Sequence, residues 1–232
     1  MAASGPSRFR LCVATDADRP SIYRLRHDVF ARELRQHGVN VEEQLVDPLD
    51  ASNVYLLVKA DDELVGHISV TPPGAHGYSI DKYVRREQLP FAVDDGTYEV
   101  RLLTVRDHHR GSPVALLLML ASLEWVAAIG GTRIMALGRR EVLPFYQKAG
   151  LRTTGLQVQA GAVTFEVITA TIEQLKVVAQ NARRTLAERV RLSAEWDPDA
   201  IQPSASPPSP PTPDRYPPGS RTDVPTAEPL DS

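Results

Sequence analysis

Strand-like and helix-like segments alternate through the first 171 residues, which predicts one α/β (α+β) domain: a mixed central sheet flanked by helices, then a C-terminal helix and a disordered tail. Three observations carry this reading. The chain has 232 residues, 42% of them hydrophobic, so it is long enough to bury one sizeable core. A strand–loop–helix pattern lies at its centre, over residues 98–126. Composition then changes abruptly near residue 197, beyond which eleven of the nineteen prolines fall.

The elements follow in order. Residues 8–14 (RFRLCVA) alternate polar and apolar and predict a strand. Thr15 and Asp16 offer helix capping, and Ile22, Leu25, Val29 and Leu34 continue at helical spacing. Residues 53–59 and 64–70 are strand-like and joined by Asp61, Asp62 and Glu63 as a hairpin turn. A Pro- and Gly-rich stretch, 71–96, holds a short helix around 81–88. Then come a strand over 98–105, a helix over 113–130, a strand over 132–137, a short helix over 141–149, and strands over 151–159 and 162–171. Residues 172–196 predict a last amphipathic helix with Ile172, Leu175, Ala179, Ala182 and Leu186 on one face, suited to packing on the domain or on a second copy in a homodimer. The domain is therefore expected over 1–171. The tail, 197–232, is too polar and proline-rich to offset ordering entropy, and serves as linker or partner-recruiting segment.

Charge narrows the function. The formal net charge is -3, and the tail alone holds six acids against Arg215 and Arg221, leaving a near-neutral body. Nothing there calls for nucleic acid. One cysteine, Cys12, excludes an intrachain disulfide and suits the cytoplasm. The most apolar run, 114–130, is too short for a membrane span and is interrupted by Glu124.

The chemistry concentrates in YEVRLLTVRDHHRGSPVALLLMLASLEWV, residues 98–126. A strand ends near Val105, and Ser112 and Pro113 open a helix as N-cap and first helical residue. Arg110 and Gly111 precede that start, where free N–H groups and the helix dipole favour an anion. Ala115, one turn in, is small enough to let a phosphate approach. The same residues would also serve an ordinary loop. His108 and His109 are adjacent in a loop, where side chains rarely share a metal, and no acid or cysteine cluster surrounds them, so no metal is expected. Some thirty residues on, FYQKAGL places Tyr146 in a short helix that ends at Gly150. A phenol there can protonate a departing thiolate, or simply pack.

Together these elements resemble the GNAT acyltransferases. Their phosphate loop, R/Q-x-x-G-x-G/A, is matched by Arg110-Gly111-Ser112-Pro113-Val114-Ala115, with Pro113 in place of the central glycine. Their Leu/Phe-Tyr-x-x-x-Gly-Phe/Leu motif is matched at Phe145, Tyr146, Gly150 and Leu151, with Arg139 where many members carry asparagine. Within that family, LRHDVFARELRQHG, DPLDASNVYLLV and YEVRLLTV are similar to segments of the acyl-homoserine-lactone (autoinducer) synthases and N-acyl amino acid synthases.

The resemblance implies an N-acyltransferase whose donor is acyl-CoA or an acyl carrier protein and whose acceptor is the amine of a small molecule or amino acid. The donor would lie along the central strand at Leu103 and Val105 and on Arg110, Gly111, Ser112, Val114 and Ala115. Glu99 would take the amine proton and Tyr146 would protonate the thiolate. Arg26, Phe30, Asp47, Asp50 and Arg101 would face the acceptor. Two other readings stay open: an autoinducer-type enzyme using S-adenosylmethionine, and a non-catalytic acyl-CoA-binding module.

Overall fold

The computed structural model describes residues 9–74, 76–161, 163–190 and 194–195; the expected tail, 197–232, lies outside them. Strand β1 (Phe9–Val13) leads through a 3-10 turn into helix α1 (Arg19–Arg26). Asp18 opens that turn by accepting both the N–H and the hydroxyl of Thr15, each at 2.8 Å. Beyond Arg26 the helix widens to π geometry over His27–Glu33 instead of running on as α-helix. Next come β2 (Val54–Ala60), β3 (Glu63–Thr71), β4 (Thr97–Val105), α2 (Val114–Ala128), β5 (Arg133–Arg139), α3 (Leu143–Lys148), β6 (Arg152–Ala160), β7 (Val163–Thr171), α4 (Ile172–Val190) and a two-residue β8 (Ala194–Glu195).

The strands form one mixed sheet in the order β6-β7-β5-β4-β3-β2-β1-β8. Only β4 with β5 and β1 with β8 run parallel. The β2–β3 turn takes positive φ at both Asp61 (48°) and Asp62 (68°), which suits the right-handed twist of a tight hairpin. The helix expected around 81–88 is instead two short 3-10 turns, Ser79–Lys82 and Arg86–Gln88, separated by Arg85 in extended conformation.

The sheet is covered on both faces. Helix α2 is apolar nearly all round because it is enclosed. Val114, Leu118, Ala121 and Val126 are fully buried against Leu56, Val58, Ile68, Val70 and Val100 of the sheet. Helix α4 closes the same core with Ile172, Leu175 and Ala179. On the opposite face α1 packs Ile22, Tyr23, Leu25 and Val29 against Tyr55 and Leu57. Gly66 sets the height of α2 over β3. A Cβ there would meet Val114 Cγ1 at 2.8 Å and the Thr104 carbonyl at 3.0 Å. Among the described residues no helix is long and apolar enough to cross a membrane.

Candidate active site

The central feature is a gap in the sheet. Strands β4 and β5 are paired only where Thr97–Glu99 meets Arg133–Met135. Beyond Glu99, β4 follows β3 while β5 follows β7 as far as Arg139 opposite Phe165. The parting is reinforced by a bulge. Arg101 lies opposite Ser69 and Thr104 opposite His67, so β4 carries one extra residue. Leu102 takes it up with φ at 52°, a left-handed conformation that costs a non-glycine residue about 1–3 kcal/mol. Strain of that size persists only when the surroundings enforce it, and here it turns the Leu102–Leu103 backbone out of register. The resulting cleft, about 280 Å³, is lined by Val100, Leu102, Leu103, Met119, Leu137 and Tyr146, among others.

Tyr146 enters this cleft from α3. Gly138 on β5 makes room for it: a Cβ there would lie 3.3 Å from the tyrosine ring and 3.1 Å from Leu143. Burial raises the phenol above its ordinary pKa, and the charge of Arg139 partly opposes this.

At the open end of β4 is the loop before α2. Gly111 has φ at 80° and nothing within 4 Å of where a Cβ would stand, so space lies in front of it. Helix α2 begins one residue later than expected, at Val114. The Ser112 hydroxyl accepts the Val114 N–H at 3.3 Å and donates to the His109 carbonyl. The Ser112 N–H bonds that same carbonyl, and Pro113 has no N–H to offer. Arg110 reaches the Val105 carbonyl through Nε and is ion-paired through Nη2 with Glu33. His108 is exposed beside Asp107, whereas His109 packs edge-on against Phe9.

The other expected residues gather on the α1 face. Tyr55, Ser69 and Arg101 stand opposite one another across β2, β3 and β4, with Thr71 and Glu99 as the next pair along. Asp47 receives Arg101 Nη1 at 3.1 and 3.2 Å, with Arg26 Nη2 at 4.0 Å. Burial alone would raise its pKa, but the two guanidiniums and the Leu49 N–H outweigh that and hold it below the usual carboxylate range. Asp50 is fully engaged inside the protein, accepting from Arg19 at 2.6 Å and from the Tyr23 and Tyr55 hydroxyls at 2.7 Å. It ties α1 to β2. Phe30 packs partly buried against the α1 cluster.

Glu99 is fully buried. It accepts the Ser79 N–H and hydroxyl at 2.6 Å each and the Ile80 N–H at 3.1 Å. Burial raises its proton affinity, and Arg101 and these donors only partly offset that. Glu99 is therefore beside the cleft rather than among its lining residues.

Of this layer, His27, Asn53, His67 and Ser69 escaped the sequence reading, whereas Arg26 was among its candidates. Arg26 Nε and Nη1, His27 Nδ1, Asn53 Nδ2, both His67 nitrogens and the Ser69 hydroxyl are buried without a hydrogen-bond partner. Unpaired buried donors in such number call for a water or a ligand. The signal was in the sequence: His67, Ser69 and Thr71 alternate in an otherwise apolar strand, marking one polar face.

Residues 25–120 match the family model described as acetyltransferase (GNAT) domain. No curated protein matches the chain in sequence. Among solved structures, it is similar to a CoA-dependent acyl-homoserine lactone synthase, BjaI, with 20% identity, TM-score 0.61, and coverage of 85% of this chain and 97% of that one. The homoserine lactone synthase LasI follows at 16% and 0.60, over 75% and 95% of the two chains. FeeM, an N-acyl amino acid synthase from uncultured soil microbes, gives 15% and 0.57, over 74% and 94%. Residues 25–120 are thus similar to the GNAT acetyltransferase domain, and the chain shares its fold with the autoinducer and N-acyl amino acid synthases.

Proposed function

We propose that the protein is an N-acyltransferase that carries an acyl group from a CoA or carrier-protein thioester to the amine of a small molecule or amino acid. The observation that carries this is the β4–β5 cleft, with the Leu102 bulge on one wall and Tyr146 on the other. A thioester chain threaded there would place its carbonyl by the displaced Leu102–Leu103 backbone. Its phosphates would reach the Arg110–Ala115 loop, where Gly111 leaves space. The acceptor would approach from the α1 side, where Arg26, Asn53 and Ser69 offer unpaired donors.

The chemistry needs no covalent enzyme intermediate. The neutral amine attacks the thioester carbonyl, and negative charge develops on oxygen, where backbone N–H groups near Leu103 would stabilise it. Collapse breaks the C–S bond, and the thiolate takes the Tyr146 proton. A carboxylate has about four acceptor positions. Ser79 and Ile80 fill three of those on Glu99, leaving one on Oε2. Through a water, that position can receive the amine proton, and the raised proton affinity of Glu99 suits the task. Cys12 stands on β1, its thiol pushed up by burial, and has no part in this scheme.

Calorimetric titration with CoA and acyl-CoAs of increasing length, then mass spectrometry of reactions offered amino acids and other amines, tests the proposal. An N-acylated product with stoichiometric free thiol supports it. A lactone released from S-adenosylmethionine would place the protein with the autoinducer synthases. Donor binding without turnover would leave only a binding module.

A further inference from the structure

Around the loop before α2, described exposed arginines are paired with acids. Arg106 lies 3.3 Å from Glu63, and Arg10 lies 2.8 Å from Asp62. The Arg110–Glu33 pair differs in reach. Glu33 is the last residue of the π-widened stretch that follows α1, 77 positions away in sequence, yet its carboxylate sits on the guanidinium that faces the loop. Within the loop the Ser112 and Val114 N–H groups are used internally and Pro113 has none. Arg110 is thus the main cationic group of this loop, and it is already spoken for.

Resting on the donor assignment above, we propose that Glu33 is a specificity-determining residue. It occupies Arg110 in the free protein and surrenders it only to the phosphate of a donor. A phosphate-bearing thioester can displace a carboxylate from the guanidinium, whereas a thioester lacking phosphate gains nothing there. The exchange is feasible because the pair is half exposed, with side-chain accessibilities of 48% for Arg110 and 34% for Glu33, and such pairs are weak. It also links the two substrate sides. Glu33 directly precedes residues 34–44, which rest on the acceptor layer through the Asn40 N–H to His27 Nε2 contact at 3.3 Å and through Arg32 pairing with Glu43. Arg35 and Glu43 near the two ends of that segment take positive φ, 53° and 51°. Releasing Glu33 frees one of its anchors.

The test is CoA binding to the full-length protein by calorimetry, for wild type, Glu33→Gln, Arg110→Ala and the double variant. Glu33→Gln should tighten CoA roughly two- to five-fold at low ionic strength, with the gain shrinking in high salt. Arg110→Ala should weaken binding, and Glu33→Gln should add nothing in its background. Acyl-pantetheine, which lacks the phosphates, should bind wild type and Glu33→Gln alike. Amide exchange in residues 34–44 should rise when CoA is added to wild type and be raised beforehand in Glu33→Gln. Should the glutamine variant melt early, Glu33→Asp, too short to hold Arg110, replaces it. A wild-type CoA affinity in Glu33→Gln, alongside weakened Arg110→Ala, overturns the inference and leaves the donor assignment standing. A gain that survives in the Arg110→Ala background also overturns it, because Glu33 would then act by repulsion alone. CoA failing to bind any of the four proteins overturns this inference and removes CoA as the donor, leaving only a carrier-protein thioester.

Discussion

At the residue scale, proton affinity separates the groups that can react from those that hold the fold. Tyr146 lines the cleft and, on the proposed mechanism, supplies the thiolate's proton, so Tyr146→Phe should lower kcat by about 10²–10⁴-fold with a smaller change in KM. Single-turnover kinetics decide this, and an unchanged chemical step would assign the thiolate's proton to water. Asp47 has the opposite character. Buried between Arg101 and Arg26, it neutralises two guanidiniums, so Asp47→Asn should destabilise by about 3–5 kcal/mol in denaturant titrations. His67 provides a pH test. Burial, then the charge of Arg26, pushes its pKa down from 6.5 to about 3. The unfolded chain takes a proton below pH 6.5 that the folded one refuses, so stability is complete above 6.5 and falls as the pH drops towards 3. His67→Met should flatten the His67 contribution to the melting temperature between pH 6.5 and 4.5, while Glu99 and Glu124, both raised by burial, give a slope of opposite sign in wild type and variant alike. His37 and His109, also shifted down by burial, leave a shallower residual slope. A slope identical to wild type would mean that His67 is solvated in the folded protein.

At the element scale, what was legible in the sequence is what depends on near neighbours. Alternation located β1, strand-like runs located β2 to β4, Asp61-Asp62 located the hairpin, and Ser112-Pro113 located the start of α2 to within a residue. The Arg110–Ala115 loop and Tyr146 were likewise legible, each carried by a short contiguous motif. Features set by distant chain were not. The π widening over His27–Glu33, the parting of β4 from β5 and the left-handed Leu102 all arise from packing between segments far apart in sequence. The partners of Glu99 come from residues 79–80, where only a short helix was expected, and that of Arg110 comes from Glu33. Gly66 joins the two kinds of information, since its role appears only once α2 is seen lying on β3. Gly66→Ala would press a methyl group onto Val114 and the Thr104 carbonyl, lifting the first turn of α2 together with the loop it carries. The expected cost is about 1–3 kcal/mol of stability and a raised donor KM at nearly unchanged kcat. Loss of stability without any change in KM would show that the loop is positioned independently of the helix.

At the scale of the whole molecule, α4 belongs to the core. Helix α4 contributes Ile172, Leu175 and Ala179, each below 5% exposure, to the cluster that α2 shares with the sheet, and Arg183 reaches Glu124 on α2. The sequence beyond 197 has no comparable apolar face. Its larger apolar side chains are scattered (Ile201, Tyr216, Val224 and Leu230 are the main ones), and its eleven prolines are of a type that suits neither helix interiors nor sheet ladders. Two truncations should therefore behave differently. Removing residues 199–232 keeps α4 and the β1–β8 pairing and should leave the melting temperature and CoA affinity within error of the full chain. Removing residues 172–232 strips three buried side chains from the α2 face. Each large-to-small loss of that kind is typically worth about 2–5 kcal/mol, against a total of about 5–15 kcal/mol for a domain, so the shortened protein should be unfolded or held together by self-association. Calorimetric melting with light scattering on the same samples reads both outcomes. If the shorter cut alone lowers the melting temperature by several degrees, residues 199–232 dock on the domain and the boundary near 197 is wrong. If the longer cut leaves a monomer of full stability, α4 is an accessory to the core rather than part of it.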